Sequence, residues 1–156
     1  MKYLIPTALL TVLLTATTHA NPTKLEALIG GKGPINVLTS PDKVVAYRMK
    51  EDAFPQTKIK RSKVVLNAEQ TATIGTLLTR AKNYHWDLAK GCEPIFGVST
   101  VFTKNDQAVE VKFCFDCDIL NFSTGSSEDF DSMRAELLAV IRPLFPKDKT
   151  IQGLKD

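Results

Sequence analysis

The chain has 156 residues, of which 44% are hydrophobic and 24% are charged, and its formal net charge is +3 at pH 7 with neutral histidine. This length supports one domain with a substantial buried core. The charge balance is far from the strongly basic one that nucleic-acid binders show, so no nucleic-acid partner is expected.

The first twenty residues have the pattern of a signal peptide. Lys2 supplies a positive charge, residues 3–14 are mostly apolar, and Thr18 and Ala20 place small side chains where a signal peptidase reads them. The apolar run is too short to span a membrane. The opening letters MKYLIPTA resemble the leader of secreted bacterial pectate lyases. We expect cleavage near Ala20, a periplasmic or secreted protein, and a single domain over residues 21–156.

The N-terminal part of the mature chain is predicted to form a short helix followed by strands. Thr23 caps a helix that ends at Gly30, since glycine readily adopts the left-handed conformation at a helix end. Residues 35–38 and 43–48 are interpreted as two strands of a hairpin, separated by a turn with proline and aspartate. A further strand is predicted over residues 58–66.

That further strand carries a cluster of basic side chains. Such clusters can bind phosphates. Lysines on a strand edge also deter pairing with the edge of another sheet. We interpret the cluster as a solvated strand edge, formed by Lys58, Lys60, Arg61 and Lys63.

Two longer helices are predicted, one on each side of the cysteine-containing region. Asn67 and Gln70 have capping-box spacing at the start of the first, which covers residues 68–83. The second covers residues 128–142 and has an apolar stripe.

The sequence therefore predicts an α+β fold with two main helices packed on one face of an antiparallel sheet. The sheet is expected to be built mainly from residues 35–48 and 92–122.

The clearest strand pattern surrounds an Asn-Asp turn at residues 105–106. Placing this turn at the centre of a two-residue hairpin loop sets Phe102 opposite Val109 and Val98 opposite Phe113. The bulky apolar side chains then share one face, as the two-residue period of a strand requires.

All three cysteines lie in this region. The same register, continued without interruption, places Pro94 opposite Cys117, so that Cys92 and Cys117 are diagonal neighbours on the apolar face. Cys114 then lies on the opposite face. An exported chain with three cysteines forms one disulfide and leaves one thiol, so we predict a Cys92–Cys117 disulfide and a free Cys114.

Two other uses of the cysteines are considered. Cys114 and Cys117 form a CxxC motif, but its redox role elsewhere depends on a helix N-terminus, and here it lies in a strand pattern. The stronger alternative is a copper or zinc site with Cys92, Cys114 and Cys117 as thiolates and His85 as a fourth ligand. This metal site requires a distortion of the strand that moves the Cys114 side chain to the face that carries Cys92 and Cys117.

The chain contains none of the common catalytic motifs GxSxG, HExxH, the P-loop or GxGxxG. His85 is the single histidine after the leader. We therefore expect no catalytic residue and no cofactor, and a non-enzymatic binding or structural module. Its ligand, a protein or a small molecule, is not specified by the sequence.

Several short motifs resemble those of an uncharacterised family of exported bacterial proteins. The resemblance extends over residues 45–154 and implies neither an activity nor a substrate. It is carried by Tyr47-Arg48, Tyr84-His85-Trp86, Cys92-Glu93-Pro94, Cys114-Phe115-Asp116-Cys117 and Phe145-Pro146-Lys147-Asp148.

Overall fold

The computed structural model describes residues 23–49, 60–86 and 89–156. The predicted signal peptide, residues 1–20, and the start of the strand predicted over residues 58–66 lie outside these ranges. Within them, no helix has the length and apolar character needed to cross a membrane.

The described residues form an α+β fold, as predicted. Six strands make one antiparallel sheet in the order β2-β1-β3-β4-β5-β6. The strands are β1 (Lys43–Met49), β2 (Lys60–Val65), β3 (Val98–Lys104), β4 (Gln107–Cys114), β5 (Ile119–Phe122) and β6 (Ser127–Asp129). The α-helices are α1 (Lys24–Ile29), α2 (Lys32–Thr39), α3 (Ala68–Leu78), α4 (Arg134–Leu144) and α5 (Lys149–Gly153).

The predicted register of the β3–β4 hairpin is confirmed. Phe102 pairs with Val109 and Val98 pairs with Phe113. Asn105 has a φ of 49°, a left-handed conformation that asparagine tolerates and that tight hairpin turns require. All four of the paired apolar side chains are buried, so the hairpin supplies the centre of the core.

The helices α3 and α4 pack against each other and against this apolar face, as predicted. The predicted capping box at the start of α3 is present: the Asn67 Oδ1 accepts from the Gln70 N–H at 2.8 Å, and the Gln70 Oε1 accepts from the Asn67 N–H at 3.0 Å. The helix ends at Leu78, earlier than the predicted residue 83. A separate 3-10 turn, Ala81–Asn83, follows it.

The strand predicted over residues 35–38 is wrong, because these residues belong to helix α2. Val37 and Leu38 are consecutive and both buried, whereas consecutive strand residues point to opposite faces. Pro34 lies in the first turn of α2, where its missing N–H has no intrahelical partner to lose. The neighbours of β1 in the sheet are therefore β2 and β3, and the predicted hairpin over residues 35–48 does not form.

The second predicted helix begins later than expected. Residues 127–129 form β6, and a 3-10 turn, Asp131–Met133, precedes α4. The Phe130 N–H donates to the Asp118 carbonyl at 2.9 Å, and the Asp131 N–H donates to the Asp129 carboxylate at 2.9 Å. These bonds hold the backbone of residues 130 and 131 beside the sheet, so α4 begins only at Arg134.

Replacing Gly75 with alanine tests the close approach of α2 and α3. A Cβ at Gly75 would lie 2.5 Å from the Leu38 carbonyl oxygen, whereas a Cβ at Gly33 in α2 meets no atom within 4 Å. We expect Gly75→Ala to lower the free energy of unfolding by about 1–3 kcal/mol through overpacking. The matched control Gly33→Ala should raise it by up to about 1 kcal/mol. Urea unfolding measures both, and equal effects would contradict the close approach.

Candidate functional site

The chain reverses direction at the end of β4 instead of continuing as a straight strand. Residues 115–118 form a turn, and Ile119 of β5 pairs with Cys114. Asp118 has a φ of 52°, which aspartate tolerates better than most residues. The predicted pairing of Pro94 with Cys117 is therefore wrong, because the hairpin register ends near the turn.

Aromatic packing explains why the chain turns here. Phe115 is buried, and its ring centroid lies 5.4 Å from that of Phe130 in an edge-to-face arrangement. The Phe113 ring lies 6.0 Å from the same Phe130 ring, also edge to face. Phe113 and Phe115 therefore both pack against Phe130, which follows β6. This aromatic contact places the turn over the end of the core.

The disulfide between Cys92 and Cys117 is present. The turn after β4, and not the predicted register, brings the two cysteines together. The two Cα atoms lie 6.0 Å apart, an ordinary separation for a disulfide. The bond joins residues 89–97, which have no regular secondary structure, to the turn after β4. Cys117 is buried and Cys92 is exposed, while Cys114 is a buried free thiol.

The four residues of the alternative metal site are not brought together. Two of the sulfur atoms are joined in the disulfide, and the exposed His85 contacts Ser132. Over residues 23–49, 60–86 and 89–156, no group of three His, Cys, Asp or Glu side chains is arranged to hold a metal ion.

His85 and Ser132 form a contact that the sequence pattern does not indicate. The His85 Nε2 lies 2.7 Å from the Ser132 Oγ, which is the spacing of a base and a serine nucleophile. Both side chains are exposed. Among the residues described, none accepts a hydrogen bond from the other ring nitrogen, which is the place of the orienting acid in a catalytic triad.

A network of ion pairs lies beside the disulfide, and its first member is Lys90. The Lys90 Nζ donates to the Cys117 carbonyl at 2.9 Å, lies 3.2 Å from the Asp131 carboxylate and forms an ion pair with the buried Asp129. Burial of Lys90 lowers its pKa, but the two carboxylates outweigh this effect and hold the pKa above its ordinary value. Lys90 thus ties residues 89–97 to both the turn and the start of α4.

The second half of the network joins Asp118 to Arg134 of α4. The Arg134 guanidinium contacts the Asp118 carboxylate and the Phe115 carbonyl, and it lies 5.7 Å from the centre of the Phe115 ring. Burial and a hydrogen bond to Asp131 raise the pKa of Asp118, although Arg134 acts in the opposite direction. The same bond lowers the pKa of Asp131.

A small surface depression, which we call the disulfide cleft, is lined by Asp116, the residue before Cys117, and by Ile95 of the disulfide-linked segment. Ile95 on its rim has 57% of its surface exposed. A second depression shares Phe115, Asp116 and Leu154 with it and extends to the ion-pair network. The disulfide cleft is lined by Arg48, Ile95, Gly97, Phe115, Asp116, Thr150, Ile151 and Leu154.

Arg48 and Asp148 hold the C-terminal wall of the disulfide cleft. The Arg48 Nε donates to the Asp148 carboxylate at 2.7 Å, and its Nη1 donates to the Gly97 carbonyl at 2.6 Å. Asp148 also caps α5 by accepting from the Ile151 N–H at 3.1 Å. Burial raises the pKa of Asp148, but this cap bond and Arg48 outweigh burial and leave the pKa below its ordinary value.

Sequence reasoning identified the cysteines but missed Lys90, Asp129 and Arg134. Lysines, aspartates and arginines are common on surfaces, and the spacing of these three shows no periodic signal. Their shared position depends on the turn at residues 115–118 and on β6, neither of which the sequence pattern predicted.

No protein-family model matches the chain. Comparisons with curated proteins and with solved structures also give no significant match. A function must therefore be inferred from the disulfide cleft and its contacts.

Removal of the disulfide should destabilise the protein without unfolding it. The bond closes a loop with a sequence separation of 25 residues. We expect the double variant Cys92→Ala/Cys117→Ala to lose about 3 kcal/mol of unfolding free energy, measured in urea. The control Cys114→Ser should keep the disulfide, as judged by thiol alkylation and mass spectrometry. A disulfide that survives Cys117→Ser but not Cys114→Ser would contradict the pairing.

The Arg48–Asp148 ion pair should make stability depend on pH in the acid range. Because the folded-state pKa of Asp148 is lowered, its contribution is present above the unfolded-state pKa of about 3.9 and is lost as the pH falls through the folded value. Asp148→Asn keeps a good helix cap but removes the charge. This variant should be less stable than the parent by roughly 1 kcal/mol at pH 7.

The difference between the Asp148→Asn variant and the parent should shrink below about pH 4, the range in which free aspartate is protonated. Urea unfolding at several pH values measures this. The matched control is Asp106→Asn in the exposed hairpin turn, which should follow the parent at every pH. A difference at Asp148 that stays constant with pH would show that charge is not the cause.

Proposed function

We propose that the protein is a small exported binding module, periplasmic or secreted, and not an enzyme. The single observation that carries the proposal is the disulfide cleft. It combines exposed apolar surface at Ile95 with charged and hydroxyl side chains, and it lies where a disulfide fixes an otherwise irregular segment. The space inside it is small, about 20 Å³, so it fits one protruding group of a ligand or partner, and its apolar surface and few fixed polar groups are features that ligand sites share.

The electrostatics around the disulfide cleft support binding over catalysis. Each charged group with a shifted pKa has an ion-pair partner: Lys90 pairs with Asp129 and Asp131, Asp118 with Arg134, and Asp148 with Arg48. Ion-pair networks with structural roles perturb pKa values in this way, so the shifts do not require a catalytic explanation.

The alternative function is a copper or zinc protein that uses Cys92, Cys114, Cys117 and His85 as ligands. Both functions make definite statements about the protein purified from its own exported compartment. The binding module predicts a chain that begins near Asn21, a mass two hydrogens below that of the reduced chain, and one thiol that can be alkylated after unfolding. Three free thiols with bound copper or zinc would support the alternative, and a retained leader would contradict export.

Ligand binding at the disulfide cleft can be tested by NMR with a library of small organic fragments and short peptides. We expect the amide signals of Ile95, Gly97 and Phe115 to shift with at least one probe. The matched variant Ile95→Ser should weaken that response without altering the hairpin signals. If no probe at millimolar concentration shifts these signals, the binding role of the disulfide cleft is wrong.

A further inference from the structure

Across the described ranges, two large apolar side chains are strongly exposed, Val65 at 58% and Ile95 at 57%. Single exposed apolar residues are common on protein surfaces and need no explanation by themselves. These two differ from ordinary cases because Ile95 lies near acidic side chains and Val65 lies near a basic one.

The surroundings of Ile95 are acidic. Glu93 and Asp116 are exposed, and neither carboxylate has an ion-pair partner within the part of the chain that the structure describes. Asp116 lines the disulfide cleft together with Ile95. The basic residue of this cleft, Arg48, is balanced by Asp148. A partner at this surface would therefore meet an apolar side chain together with negative charge that no cation of the described residues pairs with.

The surroundings of Val65 are basic. Val65 lies on β2, the strand at one end of the described sheet, and Lys63 lies two residues before it. Because strand side chains alternate, Lys63 and Val65 share the face away from the core, while Val64 packs against the core. Lys63 is exposed and has no ion-pair partner among residues 23–49, 60–86 and 89–156.

We propose that β2 of one copy of the chain docks on the disulfide cleft of a second copy. Val65 then covers Ile95, and the Lys63 ammonium lies between the carboxylates of Glu93 and Asp116. Lysines on an edge strand normally deter pairing with another strand, but an acidic partner surface turns this repulsion into attraction. The charge complementarity explains why the occupant is a second copy of this chain.

Val65 and Ile95 lie at different levels of the sheet within one molecule. Val65 pairs with Val45, which in turn pairs with Val101 on β3. Val98 to Val101, the part of β3 between them, spans roughly 10 Å, and Ile95 lies three positions before Val98. The contact therefore joins different regions of two copies, and it does not depend on the ligand-binding role proposed above.

The contact should be weak and sensitive to salt. Two apolar side chains and three charges cover much less than the standard interface area of about 1,600 Å², so the association is expected to be weak. Raising the ionic strength to about 0.5 M should screen the charges and reduce association.

Sedimentation velocity of the oxidised mature chain tests the contact with two variants. Ile95→Lys repels Lys63 at the cleft but keeps β2 intact, whereas Val65→Asp repels the two carboxylates but keeps the cleft intact. We expect the parent to associate, each variant alone to remain monomeric, and an equimolar mixture of the two to form a one-to-one dimer. NMR spectra of each variant confirm that the fold is retained.

A third variant, Lys63→Glu, keeps Val65 and guards against the case in which Val65→Asp does not fold. It should behave as a monomer alone and should also dimerise with Ile95→Lys. A parent protein that remains monomeric to about 1 mM, where a dimer with a millimolar dissociation constant would be detected, overturns the proposal. The proposal is also overturned if the parent associates but the variant mixtures do not.

Discussion

The disulfide between Cys92 and Cys117 is the constraint on which the candidate site depends. It joins an irregular segment, residues 89–97, to the turn after β4. Ordering one residue of backbone costs about 1–2 kcal/mol, whereas one disulfide contributes about 3 kcal/mol. The bond therefore cannot order the whole segment alone. The Lys90 contacts at one end and the Gly97 hydrogen bonds at the other also hold it.

The ion-pair network also explains how the fold accommodates a buried carboxylate. Asp129 is only 3% exposed, and an isolated charge at that depth would be strongly unfavourable. Lys90 compensates it, and the Asp131 N–H donates to its other oxygen. Such a buried pair is weak evidence for a gain in stability. Its clearer effect is positional, since it fixes the disulfide-linked segment against the start of α4.

Elements with a complete local signal were predicted correctly from the sequence. The Asn-Asp turn at residues 105–106 and the alternation around it determined the β3–β4 register, and the capping pair Asn67 and Gln70 located the start of α3. The helix over residues 32–39 was missed because Ile35, Val37 and Leu38 also resemble a short apolar strand. Tertiary packing, which the local pattern does not contain, decides between the two.

The candidate site was also only partly predictable, because a local pattern contains no tertiary contacts. The pairing of Cys92 with Cys117 was predicted from a register that ends before it reaches either cysteine. The turn that does bring them together depends on Phe130 and Arg134, which lie more than ten residues further along the chain. Long-range contacts of this kind leave no periodic trace in the sequence. The cysteine pair was predictable, whereas the disulfide cleft around it was not.

Backbone ¹⁵N relaxation of the oxidised and the reduced protein tests the central claim most directly. If the disulfide holds the rim of the cleft on a sheet that forms independently, the order parameters of Ile95 and Phe96 should be near 0.85 in the oxidised protein and should fall below about 0.6 on reduction. Those of Val111 in β4 should not change. Order parameters at Ile95 and Phe96 that are unaffected by reduction, or a loss of order that extends to Val111, would contradict the account.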